Sequence, residues 1–158
     1  MKRIILLFTI ACFVFSCDSE NNPTDVNSLT PPPAKVEKFL KANVNGTDIM
    51  FDETDVQKQI ITEAGVVYTD LIVTANKRND TSAKVVFKLE HMRTGPETCY
   101  YFLYNVGDIE YDIETGNSFQ VNVTNGTENN IKGTFSGTLM DFEGNSIILN
   151  NGNFDISF

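Results

Sequence analysis

From Phe39 to the end of the chain, apolar and polar residues alternate with the period of two that a half-buried strand shows, and turn residues break the pattern repeatedly. Ala42, Val44, the pair Asn45-Gly46, then Thr47, Ile49 and Phe51 predict a hairpin with a type I′ turn, since Asn-Gly accepts positive φ at both central positions. Val66 to Ala75 and Ala83 to His91 predict a second pair across the polar turn Asn76-Lys77-Arg78-Asn79-Asp80. In the latter segment Ala83, Val85, Phe87, Leu89 and His91 share one face; Lys84, Lys88 and Glu90, interrupted by Val86, share the other. Further strands are expected at Cys99–Tyr104, Asp108–Ile113, Phe119–Thr124, Ile131–Met140, Ser146–Asn150 and Phe154–Phe158. Turns between them are expected at Gly107, Gly116, Asn125-Gly126, Gly144-Asn145 and Asn150-Asn151-Gly152. Glu53 to Thr62 leaves helix and strand equally open, because Thr54 or Asp55 would cap a helix with Val56 and Ile60 at i, i+4. The pattern predicts an all-β domain, an antiparallel β-sandwich of about 8–10 short strands. A flattened up-and-down β-barrel is the alternative.

The N-terminus follows a different pattern. Lys2 and Arg3 precede an apolar stretch, Ile4 to Phe15, that is shorter than the ~20 residues a spanning helix needs. Val14-Phe15-Ser16-Cys17 then resembles a lipobox, where a cysteine is acylated and the peptide is cut before it. Cys12 is the rival, but cutting there leaves Phe13-Val14-Phe15 on the mature terminus, whereas Cys17 leaves the polar Asp18-Ser19-Glu20-Asn21-Asn22. The expected organisation is a signal peptide over 1–16, lipidated Cys17 and a linker over 17–38, and an all-β domain over 39–158. Pro31-Pro32-Pro33 favours an extended polyproline II spacer in that linker. Asp18 and Glu20 resemble the acidic export tag of Bacteroidota-type surface lipoproteins, which favours the outer surface of the outer membrane over its periplasmic side.

Composition narrows the partners. Loss of the leader removes Lys2 and Arg3 and takes the formal charge from −9 to −11. So acidic a chain repels nucleic acid and anionic headgroups, and nucleic-acid binding is excluded on charge. Of the three cysteines, Cys12 leaves with the leader and Cys17 takes the lipid, so Cys99 has no partner for a disulfide and is expected as a small buried hydrophobe.

The C-terminal third reads Ile131-Lys132-Gly133-Thr134-Phe135-Ser136-Gly137-Thr138-Leu139, then Asp141, Gly144-Asn145 and Asn151-Gly152-Asn153-Phe154-Asp155-Ile156. With Lys41-Ala42-Asn43-Val44-Asn45-Gly46 it resembles a group of small all-β Bacteroidota lipoproteins of unknown function. That resemblance implies an architecture and an anchor, and no activity. The residues also explain themselves: Ile131, Gly133, Phe135, Gly137 and Leu139 alternate on one face, and strand glycines admit a neighbouring ring or a bulge. Phe154, Ile156 and Phe158 are expected to supply the partner strand.

Candidate chemistry is sparse. Asp108, Glu110, Asp112 and Glu114 alternate with Ile109, Tyr111 and Ile113, so the acids line one strand face about 6.6–7 Å apart. Asp108, Glu110 and Asp112 are candidate calcium ligands, but no DxDxDG loop accompanies them, and a solvated face that guards an edge strand suits them better. The same spacing satisfies the ~6.5–9.5 Å of an inverting glycosidase pair, as any acidic strand face does. His91 is the single histidine, and Ser136 does not sit in a GxSxG elbow, so no nucleophilic triad is assembled. Tyr100, Tyr101, Tyr104 and Tyr111 cluster, and exposed aromatics beside acids form a platform for glycans. No motif calls for a cofactor. The expectation is a non-enzymatic binding module, tied to the membrane by lipid, whose ligand is an envelope protein, a glycan or a peptide. A carboxylate-based glycan hydrolase and a lipocalin-like barrel around an apolar ligand are the alternatives.

Overall fold

A computed structural model describes residues 38–113 and 118–158. The signal peptide, Cys12, Cys17, the proline triplet, Glu114 and Gly116 lie outside the described residues. Ten strands follow in order: β1 Phe39–Val44, β2 Thr47–Phe51, β3 Glu53–Glu63, β4 Val66–Lys77, β5 Asp80–Glu90, β6 Cys99–Val106, β7 Ile109–Asp112, β8 Gln120–Gly126, β9 Asn130–Met140 and β10 Ser146–Ser157. All pairings are antiparallel, in the order β2-β1-β10-β9-β7-β6-β5-β4-β3, with β8 beside β9. β7 meets β9 at one residue pair, Asp112 and Met140. The sheet turns at that narrow joint into two leaves, β2-β1-β10-β9-β8 and β3-β4-β5-β6-β7, whose inner faces meet. β2 and β3 end the order without pairing to each other, so the sheet stays open and sandwich-like, and the barrel alternative is corrected.

Alternation explains what lies between the leaves. Leu71, Val73 and Ala75 of β4 and Val85, Phe87 and Leu89 of β5 turn inward from one leaf. Ile131, Phe135 and Leu139 of β9 and Leu149, Phe154 and Ile156 of β10 turn inward from the other. Their rings interlock: Phe87 to Phe154 at 5.1 Å, Phe102 to Phe135 at 5.0 Å, and Phe51 edge-on to Tyr104 at 6.1 Å between centroids. Each buried Val, Leu, Ile or Phe among them contributes roughly 1.5–3 kcal/mol by leaving water. The glycine positions fit the same packing: Gly133 pairs with Phe154, and a Cβ on Gly133 would stand 2.5 Å from that ring's Cζ.

Glu53 to Thr62, which the sequence left open between helix and strand, is strand, held along its whole length by β4. The structure departs from the sequence pattern in three places. The two expected C-terminal strands are one, β10, and Asn150-Asn151 form a bulge opposite Ser136 instead of a turn. Asn125-Gly126 end β8, and the reversal falls at Thr127–Asn129. The β4–β5 turn is tighter than expected, with only Arg78 and Asn79 between the strands and Asn79 at φ 59°. The β1–β2 hairpin forms as expected, with Asn45 at φ 47° and Gly46 at 89°.

Candidate functional site

The outer face of the β3–β6 part of its leaf gathers the most chemistry. Register fixes which side chains meet there. Glu63 lies opposite Val66, Ile61 opposite Tyr68 and Gln59 opposite Asp70 across β3 and β4. Asp70 lies opposite Glu90 across β4 and β5, and Lys88 opposite Tyr101 across β5 and β6. Residues directly opposite in an antiparallel pair share a face, so all of these project away from the core. The β5–β6 register shifts between Lys88 and Leu89, leaving Tyr100 as the extra residue of a bulge. A bulge re-aims a side chain. Here it throws Tyr100 outward, 53% exposed, across β5 toward Asp70.

These residues line an open groove of about 770 Å³, with Gln59, Ile61 and Glu63 on one wall, Val66, Tyr68 and Asp70 along the floor, and Lys88, Glu90 and Tyr100 opposite. Both tyrosine rings are pinned. The Tyr100 hydroxyl donates to Asp70 Oδ2, and the Tyr68 hydroxyl donates to Glu63 Oε2 at 3.0 Å. Desolvation, reinforced by the bond to Asp70, pushes the Tyr100 hydroxyl well above the usual tyrosine range. The bond to Glu63 raises that of Tyr68. Both therefore remain donors at any physiological pH. Glu90 is engaged by Arg93, and the Lys88 ammonium sits 5.1 Å over the Tyr101 ring. Asp70 is only 1% exposed, and its Oδ1 has no hydrogen-bond partner. Thr98, whose carbonyl accepts the Glu90 amide at 3.2 Å, has an unpartnered buried hydroxyl too, and Thr54 and Asn105 each hold an unpartnered oxygen. Buried polar groups are almost always paired, and of these Asp70 is the one that lines the groove.

The residues singled out from sequence are distributed differently. Asp108 precedes β7, and Glu110 and Asp112 stand exposed on it. Glu110 accepts the Asn105 side-chain amide at 3.1 Å. Among the described residues, no three acid, histidine or cysteine side chains gather to hold a metal ion. A groove of about 440 Å³ does run from Asp108 and Glu110 to Asp141 and the exposed ring of Phe142. Asp141 is spent on its own loop, however, accepting the Asn145 amide at 2.7 Å, the Asn145 side chain at 2.8 Å and the Glu143 amide at 3.0 Å.

His91 lies just past β5, its Nε2 3.2 Å from the Glu128 carbonyl and its ring against Phe158, a packing role. Cys99 opens β6 half-buried, and desolvation pushes its thiol up to about 12. Of the clustered tyrosines, Tyr104 belongs to the core, Tyr111 packs against it, and Tyr100 and Tyr101 reach the outer face. Tyr68 and Asp70 escaped the sequence reading. The signal was present in β4, where Val66, Tyr68 and Asp70 fall on the opposite parity from Leu71, Val73 and Ala75.

No family model matches the chain, and no curated protein or solved structure matches it.

Proposed function

We propose that this chain is a lipid-anchored binding protein of the cell envelope, without catalytic activity, that captures its ligand on the outer face of β3–β6. The observation that carries the reading is the pair of pinned, outward tyrosines around a buried carboxylate with a free oxygen. Binding sites combine fixed apolar surface with a few placed polar groups, and this face offers both. The space between the leaves is filled by interlocked phenylalanine rings, which disfavours an enclosed apolar ligand. The acids of β7 line a different groove from Tyr68 and Tyr100, which disfavours a hydrolytic pair working with those two rings. Cys17 as the acylated residue, and the linker as spacer, follow from the lipobox-like Val14-Phe15-Ser16-Cys17. Lipoprotein processing adds at least two acyl chains, and two chains hold a protein stably on a bilayer where one does not. The resemblance of the C-terminal pattern to small Bacteroidota lipoproteins supports the same setting, with the outer surface of the outer membrane favoured.

Two measurements test this. Metabolic palmitate labelling is expected in the expressed chain and lost in Cys17→Ala; label that persists in the variant refutes the anchor. Isotope-labelled mature chain titrated with detergent-solubilised envelope extract is expected to show amide shifts confined to the outer face of β3–β6. Shifts confined to β8–β10, or none, refute the binding face.

A further inference from the structure

We infer that the ligand of the β3–β6 groove is a saccharide, seated with a ring against Tyr100 and a hydroxyl donated to Asp70 Oδ1. The inference rests on the binding-face reading and goes on to name the ligand's chemistry.

Three observations converge. First, the exposed Tyr100 ring and the half-buried Tyr68 ring are held by their hydroxyls, through Asp70 and Glu63. A pinned aromatic ring loses little freedom when the C–H face of a pyranose packs on it. Second, Asp70 Oδ1 is buried and unpartnered. A buried acceptor without a donor is costly to leave unmade, and a sugar hydroxyl brings that donor. Beside it, Gln59 and Lys88 line the same groove and supply donors for the hydroxyl oxygens that remain.

Third, each carboxylate of the groove already holds a donor from within the fold. Glu63 takes a bond from Tyr68, Asp70 from Tyr100, and Glu90 from Arg93. Oxygens left over from these bonds, Asp70 Oδ1 among them, lie beside the faces of Tyr68 and Tyr100, a match for a polyhydroxyl compound that adds donors without disturbing the bonds already made. Lys88 stands in the same groove and opposes a polycation. The volume of about 770 Å³ lies within the ~300–1,000 Å³ of small-ligand sites, and the open shape admits a chain of sugars running past the rim. The outer face of the other leaf, by contrast, carries Asn122, Thr134, Ser136, Asn150 and Asn153 along its groove.

The test is an array of neutral and amino-sugar oligosaccharides, with oligolysine as comparator, probed with the mature chain carrying Cys17→Ser. At least one oligosaccharide is expected to bind. Tyr100→Ala and Asp70→Asn are each expected to weaken it about tenfold, the loss of one good contact to a charged acceptor or ring. Tyr100→Phe keeps the ring and is expected to retain more affinity than Tyr100→Ala. Phe142→Ala, in the other groove, is expected to change nothing. Should Asp70→Asn fail to fold, the exposed Tyr100 pair carries the test alone.

No retained saccharide, or retention indifferent to both Tyr100 variants, overturns the assignment. Oligolysine binding that depends on Asp70 overturns it in favour of a cationic peptide. If no saccharide binds while envelope extract still shifts the β3–β6 amides, only the ligand class fails. If a saccharide binds and the shifts map elsewhere, the binding face fails.

Discussion

Gly152 shows how a missing side chain sets a fit. It lies opposite Phe135 across β9 and β10, and a Cβ there would fall onto the ring's Cγ, Cδ2 and Cε2. Gly152→Ala is therefore expected to cost ~1–3 kcal/mol in urea denaturation, the range for overpacking a close-packed core. Because the obstacle is a side chain, adding Phe135→Leu should give less than the sum of the two single losses, a coupling of about 0.5–3 kcal/mol. Additive losses would mean that the ring is not what the methyl meets. Gly133 differs, because its Cβ would also stand 2.5 Å from the Asn122 carbonyl oxygen, and no side-chain change relieves a backbone. Acid sensitivity is set at single residues too. The Asn145 side chain, with the Asn145 and Glu143 amides, holds the Asp141 carboxyl below the usual carboxylate range. Lys77 and Ser82 bring Asp80 down to about 2, and Asn130 with Lys132 lowers Asp155. A depressed folded-state pKa gives stability that is present above the unfolded value of ~3.9 and lost as pH falls through the folded one. Melting temperature is expected to drop as pH goes from about 4 toward 2. Asp141→Asn should melt several degrees lower than the parent at pH 7, with the gap closing toward pH 2; a gap that widens in acid would reverse the assignment.

At the scale of elements, the strands that bury one face were legible and the others were not. Ala83, Val85, Phe87 and Leu89 announce β5 because the core takes every second residue. β3 gave no such signal, since it is a sheet end whose inward side meets the core mainly through Val56, leaving Ile60 74% exposed. Its strand state is imposed by pairing with β4, a tertiary cause that local pattern does not carry. Asn150-Asn151-Gly152 misled for a different reason: the positive φ that marks a turn also marks a bulge. Asn151 sits at φ 51° in the middle of β10. Asn151→Gly is expected to stay within about 0.5 kcal/mol of the parent, whereas Asn151→Val should lose ~1–2 kcal/mol, the left-handed penalty of a branched residue. Equal stability of the two variants would show that the bulge relocates. The candidate site was least legible of all. Tyr68, Asp70, Glu90 and Tyr100 come from three strands, and they meet only through a register and a bulge that no single segment encodes.

At the scale of the molecule, an open sandwich must protect its edges, and β3 is the longest edge strand, at 11 residues against 5 for β2, 7 for β8 and 4 for β7. A long strand with free N–H and C=O groups along one side is a template for another chain. The apolar surface near its far end, with Ile60, Val66 and Val67 exposed, would reinforce such an encounter. Lys58 stands against it. Its register opposite Leu71 turns it toward the inner side, where its ammonium donates to the Glu128 carbonyl at 3.0 Å and lies 5.2 Å from the centre of the Phe158 ring. An inward-pointing charge on an edge strand is tolerated in the monomer, where it finds a carbonyl and a ring. It would be stranded if a second sheet continued the leaf and drew β3 tight. Lys58→Ile removes that obstacle while keeping an apolar contact with Phe158. The variant is therefore expected to fold with β-sheet circular dichroism like the parent, yet to form higher-mass species by light scattering at concentrations where the parent does not. Lys58→Arg, which keeps the charge, should behave as the parent does. If Lys58→Ile scatters no more than the parent, the protection of β3 lies elsewhere, in Glu53, Asp55 and Glu63 along the same strand.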